Sequence, residues 1–314
     1  MTDSKPDVLV VNNFHPPTIS RIDKIYQTYH LWKLNTKAQN ELIAKLDGKC
    51  KAAVTGSWTF NERAYNLSSL SLISAFGVGI DGIDINLTKE NQIRVTNTPG
   101  VLNDDVADIA LTLILTTNRN IINADKYARS RLWEKSPMPY GSGLAGKTLG
   151  IVGFGRIGEA VAERVLPLKL KIAYHNRTKK DSPHKYFASL IELAHNSDIL
   201  LCILPGGQET ERVINREVFK ALGPTGIFIN IGRGTSVDEN SLIEFLAHKK
   251  IAAAGLDVYA EEPLIPKALL ELDNTVLLPH IGSATIETRD AMGDLVLKNL
   301  EAFFSNNELV TEVK

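Results

Sequence analysis

The stretch TLGIVGFGRIGEAVAERV, residues 148–165, decides how this chain is read. It opens on a short apolar run of strand character and closes on EAVAERV, which has helical spacing. Between them stand Gly153, Gly155 and Gly158 in the pattern Gly-x-Gly-x-x-Gly. A glycine-rich turn by itself has many structural uses. Between a strand and a helix it has a particular one. The first glycine permits the tight turn, the second lets the backbone approach a pyrophosphate, and the third allows close helix–strand contact. The phosphate charge then lies at the helix N-terminus. The segment is expected to open a dinucleotide-binding βαβ unit.

The next apolar run, in KIAYHNRTKK (171–180), should end the second strand of that unit with an acidic residue for the adenosine ribose. None is present. Asn176, 18 positions after Gly158, keeps a hydrogen-bonding amide without the negative charge. Arg177 can make a bidentate, charge-assisted contact to a phosphate. Thr178 adds a hydroxyl, and Lys179 and Lys180 add positive field. A solvated basic turn has the same composition, but the position predicts NADP(H) preferred over NAD(H), with NAD(H) still possible.

Outward from this unit, short β-rich runs alternate with amphipathic stretches. The first series is 8–11, 52–55, 72–76 and 93–96. The second is 148–152, 171–174, 199–204, 226–231, 251–258 and 275–278. Runs buried on both faces and separated by helix-length segments predict parallel sheets in α/β layers. Residues 104–133 read as one long helix or two abutting helices between the series, followed by a Pro/Gly/Ser-rich loop at 134–143. Residues 284–304 are again helical, with Met292, Leu295, Val296 and Leu300 on one face. The expected architecture is a two-domain α/β protein. A Rossmann nucleotide-binding domain, 103–285, is inserted into a flavodoxin-like substrate domain, 1–102 and 286–314.

Composition narrows the class. The 314 residues, 44% hydrophobic and 23% charged, suffice for two cores. A formal net charge of −1 supplies no general field for nucleic acid. No run approaches the roughly 18 apolar residues of a membrane span, and MTDSKPDVLVVNNF lacks the signal-peptide pattern. The two cysteines, Cys50 and Cys202, stand in unrelated contexts. A reducing, cytoplasmic setting is expected, and no metal site.

Ligands of open α/β sheets bind beyond the carboxyl ends of the strands. Three ionisable residues take that position after successive later strands: Arg233 after GIFINI, Glu262 after IAAAGLDV and His280 after TVLL. The motifs that carry them are NIGRG (230–234), GLDVYAEEP (255–263) and LPHIGSAT (278–285). Together with the glycine turn, FGVGIDGID (76–84) and VTNTPGVLNDDVAD (95–108), they resemble the D-isomer-specific 2-hydroxyacid dehydrogenase family over nearly the whole chain. Within that family the sequence is similar to the glyoxylate/hydroxypyruvate reductases, including plant-type hydroxyphenylpyruvate reductases, where a strand ending in Asn-Arg accompanies NADPH use.

The resemblance implies roles. His280 is expected as general acid with Glu262 beside its ring, and Arg233 as the clamp on the 2-oxo acid carboxylate. The backbone N–H groups of Val78 and Gly79 are expected to take the other side of that carboxylate. Asp257 is expected to accept from the nicotinamide carboxamide, while Ile231 and Gly232 line the cofactor. Arg156, Ile157, Leu204, Pro205 and Gly282 complete the expected cofactor set. Gly206 and Gly207 in LPGGQETE (204–211) make the cofactor-side loop roomier than in many relatives. Trp58, in GSWTF (56–60), is a candidate pocket residue and equally a core tryptophan. In this family the region after the long helix, with Met138 and Tyr140, packs across a homodimer, so a partner subunit is expected.

The implied reaction is reduction of a small 2-oxo acid to its D-2-hydroxy acid in the interdomain cleft, with hinge closure excluding water. One rival is an NAD-dependent phosphoglycerate-type dehydrogenase, disfavoured by Arg177 and by the lack of a regulatory domain. The other is a non-catalytic, nucleotide-sensing protein like the corepressors that share this fold. The lack of an extended C-terminal tail argues against it.

Overall fold

The computed structural model describes residues 5–56 and 60–313. The chain forms two compact units, Met1–Leu102 with Thr285–Lys314, and Asn103–Ala284. Both are α/β with wholly parallel main sheets. The second is a Rossmann unit inserted in a flavodoxin-like first.

In the first unit, β1 (Asp7–Val10), β2 (Gln27–His30), β3 (Ala52–Gly56), β4 (Leu72–Phe76) and β5 (Arg94–Thr96) stand in the order β2-β1-β3-β4-β5, the flavodoxin order. Every residue of β4 is buried, as a central parallel strand covered on both faces requires. The last helix, Ile286–Phe304, packs on β4 and on the helix Pro16–Ile25. It presents Met292, Val296 and Leu300, each at most 1% exposed, while Leu295 is only half-buried. At Gly293 an added Cβ would lie 2.1 Å from Thr18 Oγ1, so the two helices touch where there is no side chain. The tail returns to the edge strand: Val313 N donates to Val95 O at 2.8 Å, and Arg94 makes a two-pronged contact to Glu312 at 2.8 and 2.7 Å. The open edge of β5 is thereby covered.

In the second unit, β6 (Thr148–Val152), β7 (Lys171–His175), β8 (Lys185–Tyr186), β9 (Ile199–Cys202), β10 (Ile227–Asn230), β11 (Ala253–Leu256) and β12 (Thr275–Leu277) take the order β12-β11-β10-β9-β6-β7-β8. Read from β8, this is the doubly wound dinucleotide order with one strand added, and its direction reverses between β6 and β9. The strands β9 and β10 are fully buried. Residues 104–133 form two helices, Asn103–Asn118 and Ile121–Arg129, broken at Asn120, whose φ of +51° is left-handed. The first lies on β10, β11 and the helix Arg156–Val165. Arg164 of the latter is held by Asp104 at 2.8 Å and Asp108 at 2.5 Å. Among the described residues no helix is long and apolar enough to cross a membrane.

Candidate active site

The turn after β6 shows three glycines in three settings. Gly153 has φ +94°, and a Cβ there would come within 2.9 Å of the Ile203 carbonyl oxygen, so only glycine fits. Gly155 caps the helix Arg156–Val165 without any side-chain bond, leaving helix N–H groups for a ligand. Gly158 is buried inside that helix, against Phe154 and Ile151. Arg156 is exposed and Ile157 half-buried in its first turn.

The end of β7 differs from the simple expectation. Both polar atoms of the Asn176 side chain are engaged by one residue of the glycine turn: Phe154 N donates to Oδ1 at 2.7 Å, and Nδ2 donates to Phe154 O at 3.0 Å. Asn176 therefore clamps the turn, with one Nδ2 hydrogen and one Oδ1 lone pair left for a ligand. Arg177 points outward, with its side chain 88% exposed and its Nη1 2.5 Å from Glu209 Oε2. Thr178 is exposed beside it. On the facing loop Leu204 is half-buried and Pro205 exposed.

The expected constellation at the ends of β10, β11 and β12 is assembled within this one unit. His280 Nδ1 lies 2.6 Å from Glu262 Oε2, both side chains being 19% exposed. Glu262 Oε1 accepts from Tyr259 N at 3.0 Å. Burial pushes the Glu262 carboxyl up. The hydrogen bond and charge of His280, the Tyr259 N–H and the nearby Arg233 outweigh burial and leave the group below its usual range. It is a carboxylate facing an imidazole.

His280 itself has φ +53°, unusual for a residue with a side chain. Asp257 holds it there. Ile281 N donates to Asp257 Oδ1 and Gly282 N to Oδ2, each at 2.8 Å. Burial keeps the Asp257 carboxyl above its ordinary value, although these N–H groups and the charge of His280 act the other way. Both Asp257 oxygens receive N–H bonds from the His280 turn, so Asp257 is also a positioning residue, and each oxygen keeps a further lone pair for the nicotinamide carboxamide expected there.

Arg233 sits between Gly232 and Gly234 for a steric reason. A Cβ on Gly234 would lie 1.9 Å from the Tyr259 carbonyl carbon, and one on Gly232 2.5 Å from Leu204 O. The backbones of two loops press on either side of the arginine. Asn230, 1% exposed, donates from Nδ2 to Arg233 O at 3.0 Å and accepts at Oδ1 from Gly232 N at 3.1 Å. Ser236 Oγ also donates to Arg233 O, at 2.7 Å. Ile231 is 7% exposed against this turn. No role was expected for Asn230 or Glu209. An Asn two positions before Gly-Arg-Gly was the available signal for the first, and nothing in local spacing announced the second.

In the first unit, Val78 and Gly79 follow β4. Their loop is fixed by its carbonyls: Thr98 N donates to Gly77 O at 2.9 Å and Asn97 Nδ2 to Val78 O at 2.8 Å. Among the described residues no acceptor takes the N–H of Val78 or Gly79. Trp58 lies outside the described residues.

A Rossmann sheet with a carboxylate-backed imidazole and a rigidly seated arginine at its carboxyl edge defines the class: a pyridine-nucleotide oxidoreductase. Residues 111–282 match the family described as D-isomer specific 2-hydroxyacid dehydrogenase, NAD binding domain, and the chain belongs to that family. It is 45% identical to hydroxyphenylpyruvate reductase of Plectranthus scutellarioides over 296 residues, covering 93% of this chain and 94% of the relative. It is 41% identical to a glyoxylate/hydroxypyruvate reductase of Arabidopsis thaliana over 295 residues, with the same coverage. Among solved structures it is similar to the NADPH-dependent glyoxylate/hydroxypyruvate reductase of Sinorhizobium meliloti in complex with NADP and malonate. That likeness has a TM-score of 0.91 and 37% identity, and covers 99% of this chain and 97% of the other.

Proposed function

We propose that this protein is an NADPH-preferring reductase of small 2-oxo acids, such as glyoxylate or hydroxypyruvate, forming D-2-hydroxy acids. The observation that carries the reading is the His280–Glu262 contact of 2.6 Å at the carboxyl edge of a dinucleotide-binding sheet. The glycine turn fits the cofactor: Gly153 makes a bend no other residue allows, and nothing lies within 4 Å of a Cβ placed on Gly155. Gly153, Gly155 and the helix N-terminus would hold its pyrophosphate, and Arg177 its 2′-phosphate. When bound, the reduced nicotinamide supplies the hydride.

The chain's own residues do the rest. Glu262 holds Nδ1 of His280 and fixes the orientation of the ring. The other ring nitrogen, Nε2, delivers the proton to the carbonyl oxygen of the substrate. Arg233 binds the substrate carboxylate and polarises the carbonyl, and the N–H groups of Val78 and Gly79 are further candidate carboxylate donors. In this reading Asn103–Ala284 is the cofactor domain and the remainder the substrate domain.

We also infer a homodimer in a cytoplasmic setting. The segment after Asn120 exposes Ile121, Ile122, Leu132, Trp133 and Tyr140, with Trp133 73% exposed, an apolar row suited to a partner copy. Cys50 and Cys202 are free and buried. Light scattering on the purified chain checks the dimer.

The functional test is kcat/KM for NADPH and NADH with glyoxylate and with hydroxypyruvate. Turnover with NADPH favoured is the expected result. Equal use of both cofactors restores the phosphoglycerate-type reading. Cofactor binding without turnover on any 2-oxo acid favours the sensor.

A further inference from the structure

Two basic residues of the turn after β7 are already paired with acid. The turn after β7 carries Arg177, Lys179 and Lys180. Arg177 Nη1 meets Glu209 Oε2 at 2.5 Å, and Lys180 Nζ faces Glu159 Oε1 at 3.6 Å. Glu209 comes from the loop after β9, on the other side of β6 from β7 in the sheet. The contact therefore spans the crevice where strand order reverses, which is where the adenosine half of a dinucleotide lies in this fold.

Backbone geometry, and no packing of its own side chain, puts Glu209 there. The loop bends at Gly207 with φ +116° and runs into the turn Gln208–Thr210. Thr210 Oγ1 pins that turn to Pro205 O at 2.7 Å and to Gly207 O at 3.1 Å. The base of Arg177 is likewise fixed through Asn176. Beyond these anchors both side chains are free to move, being 88% and 77% exposed. An ion pair so exposed is weak and opens readily.

We propose that Glu209 is a cofactor-specificity residue, a latch whose carboxylate competes with the 2′-phosphate of NADPH for the Arg177 guanidinium. This rests on the reading of Arg177 as the 2′-phosphate partner. A phosphate with about two charges and three acceptor oxygens displaces one carboxylate oxygen, so NADPH binds by opening the latch. NADH brings no competing anion and leaves it closed. Glu209 thus moderates the preference that Arg177 creates, and the loop glycines before it let the carboxylate withdraw.

The test is titration calorimetry of the full chain with adenosine 2′,5′-bisphosphate and with AMP, for wild type, Glu209→Gln, Arg177→Ala and the double variant. Glu209→Gln is expected to tighten the bisphosphate roughly twofold to fivefold, the range of an exposed ion pair, and to move AMP less. The gain should shrink in high salt and vanish in the Arg177→Ala background. No tightening, or equal tightening of both ligands, overturns the latch. The cofactor reading fails separately: an Arg177→Ala variant that binds the bisphosphate as wild type does removes both claims. Loss of affinity in Arg177→Ala beside an indifferent Glu209→Gln removes the latch alone.

Discussion

Two charged places in the same Rossmann unit are built in opposite ways. At the ends of β11 and β12, Glu262 and His280 are each 19% exposed, and Asp257 is buried. Every carboxylate oxygen there is answered, by Tyr259 N, His280, Ile281 N or Gly282 N. At the end of β7, Arg177 stands 88% exposed against Glu209 at 77%. Away from water the attraction between charges is screened less, so a paired group stays in one geometry. In water the same pair exchanges freely. The buried site orients a proton that must be delivered to one atom. The exposed one recognises a ligand that must come and go.

Substitutions at each place separate the buried design from the exposed one. The largest effect is expected from Arg233→Ala, whose partly desolvated charge contact is worth about 2–5 kcal/mol in kcat/KM. Near-wild-type turnover on any 2-oxo acid would falsify the mechanism. Next comes Arg177→Ala, which should lower kcat/KM for NADPH by roughly tenfold or more and leave NADH and the melting temperature nearly untouched. A comparable loss with NADH would mean that the exposed site is structural after all.

Asp257→Asn probes the buried side. An amide offers one acceptor oxygen to two N–H donors, so about 1–3 kcal/mol of stability is expected to go, with a fall in kcat as the His280 turn loosens. Urea unfolding and steady-state rates measure both. Asn176→Ala should cost about 1 kcal/mol through the lost clamp on Phe154 and weaken NADPH and NADH alike, which separates it from its neighbour Arg177.

The smallest effect is the acid limb of stability. The folded state holds Glu262 below the ordinary carboxyl value of 4.5, so between the two values the unfolded chain binds more protons. Stability then rises with pH through that window and is lost as pH falls through the folded value. Denaturation at stepped acid pH should show wild type losing more than Glu262→Gln. Parallel curves would mean that the pair is not formed in solution.

Much of the architecture was legible. The central strands β4, β9 and β10 announce themselves because a strand covered on both faces is a continuous apolar run. The strands β2, QTYH, and β8, KY, do not. They lie at sheet edges, half-exposed, and their pairing comes from β1 and β7 and not from their own composition. The break at Asn120 was one of two readings left open, since apolar spacing continues across it. At the site, Arg233, Glu262 and His280 were placed by strand ends and by family resemblance. The engagement of Asn176 with Phe154, and of Asp257 with Ile281 and Gly282, was not visible, because a polar side chain's spelling does not say which backbone group it meets.

What the sequence alone determined is the set of decisions made by local physics: buried strands, a glycine turn that bends before a helix, and an arginine between two glycines. The reason is that periodicity and backbone freedom act over a few residues. What only the tertiary structure decided is which charges meet. His280 finds Glu262 18 residues away and Arg177 finds Glu209 32 residues away, across loops that only the folded sheet brings together. Burial, set by the same packing, then makes one contact rigid and the other exchangeable.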